Sequence, residues 1–296
     1  MKDQAQKLRE LARSTPINSP PAKTVRHYRL PRSIAVTSGK GGVGKSNIAL
    51  YLAVSLTAMK KKVLLVDADL GLANAHILLG VAPKRSIAHF MENTCRLEEC
   101  ISTVSTGFDL LAGASGIENC ANSDTLALMR LQQAFEQVEK EYDFLVIDTG
   151  AGIGSVVTRF AANADMALVI MTPEPTSLAD AYAMVKVLTE RSSPSLGVVV
   201  NMASNDREGT EIFDKLNTLV VKFLKRPLVH FGTLPFYPEV GRAVRRQYSI
   251  LEEHKNSLFS IRLHGIARRL QGNEILRRQG FFERLFHKKP YNGDVS

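Results

Sequence analysis

Gly39-Lys-Gly-Gly-Val-Gly-Lys-Ser46 follows the short apolar run Ile34-Ala-Val-Thr-Ser38 and leads into Asn47-Ile-Ala-Leu-Tyr-Leu-Ala-Val-Ser-Leu-Thr-Ala58. The octet satisfies G-x-x-x-x-G-K-[S/T], and its flanks read as a buried strand and a helix. That context separates a phosphate loop from an incidental glycine-rich turn. Gly41, Gly42 and Gly44 let the backbone turn its N–H groups onto a phosphate at a helix N-terminus, where the helix dipole favours an anion. On this reading Gly39, Lys40, Gly41, Gly42, Val43, Gly44, Lys45, Ser46 and Asn47 hold a nucleoside triphosphate. Lys45 reaches its β- and γ-phosphates and the Ser46 hydroxyl ligates Mg²⁺.

Two other apolar runs end in acids. Lys62-Val-Leu-Leu-Val-Asp67-Ala-Asp69 and Tyr142-Asp-Phe-Leu-Val-Ile-Asp148 both read as buried strands, and ligands of open α/β folds sit at the carboxyl ends of such strands. Asp148 is the expected Mg²⁺ carboxylate, followed by Gly150 and Gly152, which leave the backbone free to swing toward a γ-phosphate. Any one of these acids alone is equally an ordinary helix cap; three of them beside one phosphate loop argue for a shared site.

The lysine at position 40 narrows the class. It stands before two glycines, where its side chain projects beyond its own phosphate site; a solvated lysine on an exposed turn is the alternative. The form K-G-G-x-G-K-[S/T] resembles the deviant loop of the MinD/ParA group, in which this lysine acts across a dimer that sandwiches ATP. That resemblance implies ATP and Mg²⁺ as ligands, Lys40 and Lys45 as catalytic cations, Asp69 positioning the attacking water, and Asp67 as the companion acid in the metal shell with Ser46 and Asp148. It also implies an adenine site. Asn201, at the end of Leu196-Gly-Val-Val-Val200, and Pro235 and Phe236, in Leu234-Pro-Phe-Tyr-Pro238, stand where the group holds its base. Asn201 reads equally as a turn residue. Thr172-Pro-Glu174-Pro175 resembles a stretch lining the nucleotide pocket, with Glu174 structural or interfacial rather than catalytic.

Length and composition fit one large core: 296 residues, 45% hydrophobic. The alternation of apolar strands with amphipathic helices predicts a doubly wound, mostly parallel α/β sheet flanked by helices, of the P-loop NTPase type. Strands are expected near 33–38, 62–67, 107–112, 143–148, 166–172, 196–201 and 228–234. Helices are expected near 45–59, 124–141, 153–163, 176–191, 207–225 and 255–271. The net charge of +9 is peripheral. Residues 1–32 carry 8 Lys and Arg against 2 Asp and Glu, and residues 260–296 carry 8 against 3, so the body between them is slightly acidic. This distribution argues against a direct nucleic-acid-binding body. Cys95, Cys100 and Cys120 form neither a disulfide framework nor a zinc spacing. With no secretory pattern and no apolar stretch of bilayer length, the expected location is the cytoplasm.

The two tails carry the remaining information, dividing the chain into a helix at 1–13, a linker at 14–32, an ATPase domain at 33–272 and a tail at 273–296. Ala5, Leu8, Leu11 and Ala12 share one helical face, and the prolines at 16, 20 and 21 end any helix there. Asp3-Gln4-Ala5, followed by Leu8-Arg9, is similar to the N-terminal motif of the FlhG family of flagellar-number regulators within the MinD group. The resemblance implies that Asp3, Gln4, Ala5, Leu8 and Arg9 dock on the signal-recognition-particle-type GTPase FlhF, with Gln4 aiding its GTP hydrolysis. In the C-terminal tail Phe281, Phe282, Leu285 and Phe286 make two i,i+4 pairs on one arc, with Glu283, Arg284, His287 and Lys288 on the other. This reads as a short amphipathic helix for an anionic membrane surface; packing against the domain is the alternative.

The function implied is a slow, dimerising switch ATPase, reversibly peripheral at the inner face of the cytoplasmic membrane, that regulates flagellar number and placement. A flagellar transcription activator and C-ring switch proteins are further partners of that family. A DNA-segregation ATPase of the ParA kind shares the same core motifs.

Overall fold

The computed structural model describes residues 30–69, 81–113, 125–191, 194–246, 250–272 and 279–286. Asp3, Gln4, Ala5, Leu8 and Arg9, and the linker up to residue 29, lie outside these. The elements run β1 (Arg32–Ser38), α1 (Lys45–Ala58), β2 (Val63–Ala68), α2 (Ile87–Met91), a 3₁₀ turn (Leu97–Cys100), β3 (Ile101–Thr103) and β4 (Asp109–Leu111). Then follow α3 (Thr125–Glu139), β5 (Phe144–Ala151), α4 (Ser155–Asn163), β6 (Met166–Met171), α5 (Pro175–Arg191), β7 (Ser195–Ala203) and α6 (Asp206–Leu224). The chain continues through β8 (Val229–Pro235), α7 (Pro238–Arg246), α8 (Ile250–Glu253), α9 (Leu258–Gln271) and α10 (Phe281–Phe286).

One eight-stranded sheet has the order β3-β4-β2-β5-β1-β6-β7-β8. Every pairing is parallel except β3 with β4. Strand periodicity splits the core in two. Ile34, Val36, Val146, Leu168 and Ile170 face α1 and α9, while Ala35, Ile147, Ala167, Val169 and Val200 face α3 to α6 and α10. Helix α1 is buried nearly all round because α9 covers the side that faces away from the sheet. Each expected strand and helix is present. The short β3, α2, α7 and α8 were not expected, being brief, charged or at the sheet edge.

In this structure the C-terminal helix packs against the domain, the alternative to a membrane surface. Phe281, Phe282 and Leu285 are fully buried rather than presented to a lipid surface, and Phe286 is half-buried. Phe282 stacks on Phe135 of α3 with ring centroids 4.1 Å apart, and Phe281 lies 6.3 Å from Phe160 of α4. Phe281, Phe282 and Leu285 thus pack into the main core cluster in this structure. The physical reason is a complementary surface of aromatic rings and polar anchors on the body. Arg284 bonds Asp165 Oδ1 at 3.1 Å and the Asn163 carbonyl at 2.9 Å, and Arg159 donates to the Leu285 carbonyl at 2.8 Å. Glu139, at the end of α3, accepts from Phe282 N at 3.3 Å. A Cβ at position 280 would collide with the Glu139 carboxylate, so a glycine admits this approach.

Burial drives the Glu139 carboxyl up to about 7, against the smaller opposing effects of the Phe282 N–H and Arg284. A carboxyl raised in the folded state binds more protons than the unfolded chain between 4.5 and about 7. Stability from this group therefore falls as pH rises through that window. Urea unfolding midpoints of the native chain should drop more between pH 5 and pH 8 than those of Glu139→Gln, and equal drops would remove Glu139 as a source of that slope.

Candidate nucleotide site

The site lies at the carboxyl ends of β1, β2 and β5. Gly42 and Gly44 hold φ of +80° and +86°, the left-handed conformation that turns the loop over the start of α1. Gly44 is the N-cap of α1 and supplies no capping side chain, so the first-turn N–H groups of α1 have no cap of this kind. The loop thus presents backbone donors at the positive end of a helix dipole. Among the described residues nothing lies within 4 Å of where a Cβ on Gly42 would sit.

Lys45 points inward. Its Nζ is 3.3 Å from Asp148 Oδ1, with both side chains almost wholly buried. Burial raises the Asp148 carboxyl above its ordinary range and neighbouring Asp69 adds to that, while Lys45 and the Ser46 hydroxyl pull it down. An ionised carboxylate held this way is stabilised by positive charge, first from Lys45 and further from a divalent cation. Asp67 of β2 is in register with Asp148 of β5 and fully buried, and its Oδ1 accepts from the Asp69 N–H at 3.2 Å. The Asp69 carboxylate lies against Gly150, 3.2 Å from where a Cβ would stand. Lys45, Ser46, Asp67, Asp69 and Asp148 are thereby brought to one place, and this donor set fits a Mg²⁺-bound triphosphate.

Lys40, five residues before Lys45, has different partners and is partly exposed. Its Nζ sits 2.6 Å from Glu174 Oε2 and 3.1 Å from Thr176 Oγ1, at the entrance to α5. Asn201 is buried, and its Nδ2 donates to the Val43 carbonyl at 2.8 Å. The amide expected to read a base is thus already braced against the phosphate loop, leaving its carbonyl oxygen and a second N–H for other partners. A Cβ on Gly44 would strike this amide. Pro235 ends β8, and Phe236 is 64% exposed with its N–H donating to the Ala203 carbonyl at 3.1 Å. A polar cavity of about 490 Å³ beyond it, lined by Tyr237, Glu253, His254, Lys255, Asn256 and Ser257, includes no residue of the loop.

Sequence reasoning missed four contacts: Glu174 and Thr176 on Lys40, Asn201 on Val43, and the Asp180 carbonyl on Gly39, where a Cβ would collide. Each joins residues more than a hundred positions apart, and only the glycine at 39 hinted at a close approach. Lys45→Ala leaves Asp148 buried without its partner and the loop without its phosphate cation. Equilibrium titration with a fluorescent ATP analogue should show binding lost, and undiminished affinity would remove the loop assignment.

The family model described as ParA: NUBPL iron-transfer P-loop NTPase matches residues 29–271. The chain is 37% identical over 238 residues to the antiactivator FleN of Pseudomonas aeruginosa, covering 80% of this chain and 85% of that protein. It is 33% identical over 235 residues to the flagellum site-determining protein YlxH of Helicobacter pylori, covering 79% and 80%. Among solved structures, the septum site-determining protein MinD of Pyrococcus horikoshii, complexed with Mg-ADP, superposes with a TM-score of 0.66. That pair is 22% identical, covering 82% of this chain and 97% of the other. By its loop, its sheet and these relatives, the chain belongs to the ParA/MinD family of P-loop NTPases, a family of ATPases.

Proposed function

We propose that the chain is an ATP-driven dimerising switch that regulates the number and placement of bacterial flagella. The observation that carries this reading is the difference between two lysines of one loop: Lys45 is buried against Asp148, while Lys40 is partly exposed and paired with Glu174 instead. A partly exposed cation apart from the Lys45–Asp148 pair suits a role on a second copy, and the similarity to FleN and YlxH supports the flagellar setting.

The residues would act as follows. Backbone N–H groups of residues 41–46 and Lys45 bind and orient the phosphates, and Ser46, Asp67 and Asp148 would hold Mg²⁺. The bound Mg²⁺-ATP supplies the phosphoryl bond to be cleaved and the negative charge that draws two copies together. Asp69, beside Gly150, orients a water and takes up its proton. Lys40 of each copy places positive charge against the phosphates of the other, in a face closed to bulk water. Asn201 fixes the loop through Val43 and, with Pro235 and Phe236, borders the base. Cleavage to ADP and inorganic phosphate, followed by release of the phosphate, would carry negative charge out of the interface, so the copies part.

Two surfaces would report this cycle. The segment with Asp3, Gln4, Ala5, Leu8 and Arg9 docks on FlhF and raises its GTP hydrolysis. A transcription activator of flagellar genes and C-ring switch proteins are the further partners of the same reading. Among the described residues no helix is long and apolar enough to cross a membrane. Peripheral attachment to anionic lipid through Phe281, Phe282, Leu285 and Phe286 then requires α10 to leave the body, breaking the contacts of Arg284, Arg159 and Glu139.

The flagellar reading is tested by adding the full chain to purified FlhF and measuring GTP hydrolysis. The native chain should accelerate it, and Gln4→Ala should not, with the chain's own ATP hydrolysis equal in both. No acceleration by the native chain, beside retention on DNA, would move the assignment to a segregation ATPase.

A further inference from the structure

We propose that the corner where α6 turns into β8 is a docking surface for anionic lipid, built from Phe223 and Val229 among Lys222, Lys225, Arg226 and Arg268. It shares a membrane partner with the reading above but does not need α10 to leave the body. Phe223 continues the buried stripe of Phe213, Leu216 and Val220 along α6, yet it is 60% exposed. Val229, the first residue of β8 at the sheet edge, is 55% exposed. Single exposed apolar side chains are ordinary. Two large ones flanking one short turn mark a surface that suits a partner.

The surroundings are basic. Between Asp214 and Glu239 the sequence has Lys215, Lys222, Lys225 and Arg226 and no Asp or Glu. The end of α9 reaches the same strand, where Arg269 donates to the Phe231 carbonyl at 2.9 Å, and neighbouring Arg268 is exposed. Residues 255–272 hold no acid either. On adjacent α5 the last-turn acid Glu190 pairs with Lys186 at 4.0 Å and is followed by Arg191. Lys222 and Lys225 are exposed, and the Lys222 ammonium stands 5.3 Å from the centre of the Phe223 ring.

The turn that carries these groups is braced. The Asn217 side-chain carbonyl accepts from Leu228 N at 2.9 Å, Arg226 donates to the Pro194 carbonyl, and Lys225 N donates to the Val221 carbonyl at 3.2 Å. Lys225 holds a left-handed φ of 55° just past the end of α6, where glycine is the usual residue. A long cation therefore stands at the tip of the turn.

Position and charge choose the occupant. The corner lies at the amino ends of the parallel strands, where β8 starts, whereas the phosphate loop leaves the carboxyl end of β1. Pairing of two copies across their phosphate loops would leave it uncovered. A second copy docked here would oppose cations to cations. The first 32 residues of the chain carry 8 Lys and Arg against 2 Asp and Glu, so they are repelled as well. A bilayer containing acidic phospholipid offers phosphates to Lys222, Lys225, Arg226 and Arg268 and an apolar layer to Phe223 and Val229. Lysine suits that boundary, since its stem covers apolar surface while the ammonium stays in water. Helix α10 packs at the same end, beside Ser33, so both contacts can meet one surface.

The test uses the full chain without nucleotide, carrying Phe223→Trp as a reporter, since the sequence has no tryptophan of its own. Vesicles of phosphatidylglycerol with phosphatidylcholine should float the chain, shift the indole emission to the blue and, with brominated acyl chains, quench it. Phosphatidylcholine alone should do none of these. Lys222→Gln together with Lys225→Gln in the same background should weaken binding roughly 30-fold, about fivefold for each lysine near an anionic surface. Flotation with the indole still in water, or flotation only after an ATP analogue is added, would overturn the corner and leave α10 as the contact. A chain that floats in neither state would overturn the membrane reading and this surface with it. An equal shift on neutral vesicles, or full affinity in the double lysine variant, would overturn anionic lipid as the occupant. A blue shift with polyglutamate and none with vesicles would overturn it in favour of an acidic protein surface.

Discussion

A lysine and an aspartate buried together at the centre of a parallel sheet are the constraint from which the rest of the site follows. The Lys45 ammonium and Asp148 carboxylate lie 3.3 Å apart in a place almost closed to water. Neither charge is tolerable there alone, since stranding one partner of a buried pair is strongly destabilising. The sequence meets this with geometry. Asp148 sits on β5, between β2 and β1, and is in register with Asp67 on one side and Val36 on the other. The loop leaving β1 returns its lysine over that edge, and Asn201, reaching from β7, pins the loop by its Val43 carbonyl. The result is an excess of acid beneath a rim of backbone N–H donors, which suits a cation below and phosphate above.

Much of this was legible because it is local. The glycines, the lysine and the serine of the phosphate loop are contiguous, and their chemistry needs only the strand before and the helix after. The buried strands were legible from unbroken apolar runs, and the acids at 67, 69 and 148 from their place at the ends of those runs. Other features depend on tertiary partners. Strand β3 is three residues of Ile-Ser-Thr at a sheet edge, and only its antiparallel partner β4 makes it a strand. Asn201 reads as a base contact from its position, yet the structure gives one of its donors to a carbonyl 158 residues away.

The C-terminal helix makes the same point more sharply. The amphipathic arc of Phe281, Phe282, Leu285 and Phe286 is identical whether its apolar side meets lipid or protein. What decides is a surface of Phe135, Phe160, Glu139 and Asp165 assembled from α3, α4 and the turn before β6. Those contacts lie at the amino ends of the strands, near Ser33, whereas the phosphate loop lies at the carboxyl ends. Lys40 at one end is held by two polar contacts, whereas α10 at the other is held by buried rings as well as by the contacts of Arg284, Arg159 and Glu139. The sheet between them is continuous buried core.

Central to the account is that Lys40 completes the site of a different molecule while Asp69 serves its own. Mixing Lys40→Ala and Asp69→Ala chains, each inactive alone, tests this most directly. One of the two sites in a mixed pair then has its own Asp69 and receives Lys40 from the other chain. Steady-state ATP hydrolysis should reappear on mixing and grow with the fraction of mixed pairs; a mixture as inactive as its components would contradict the account.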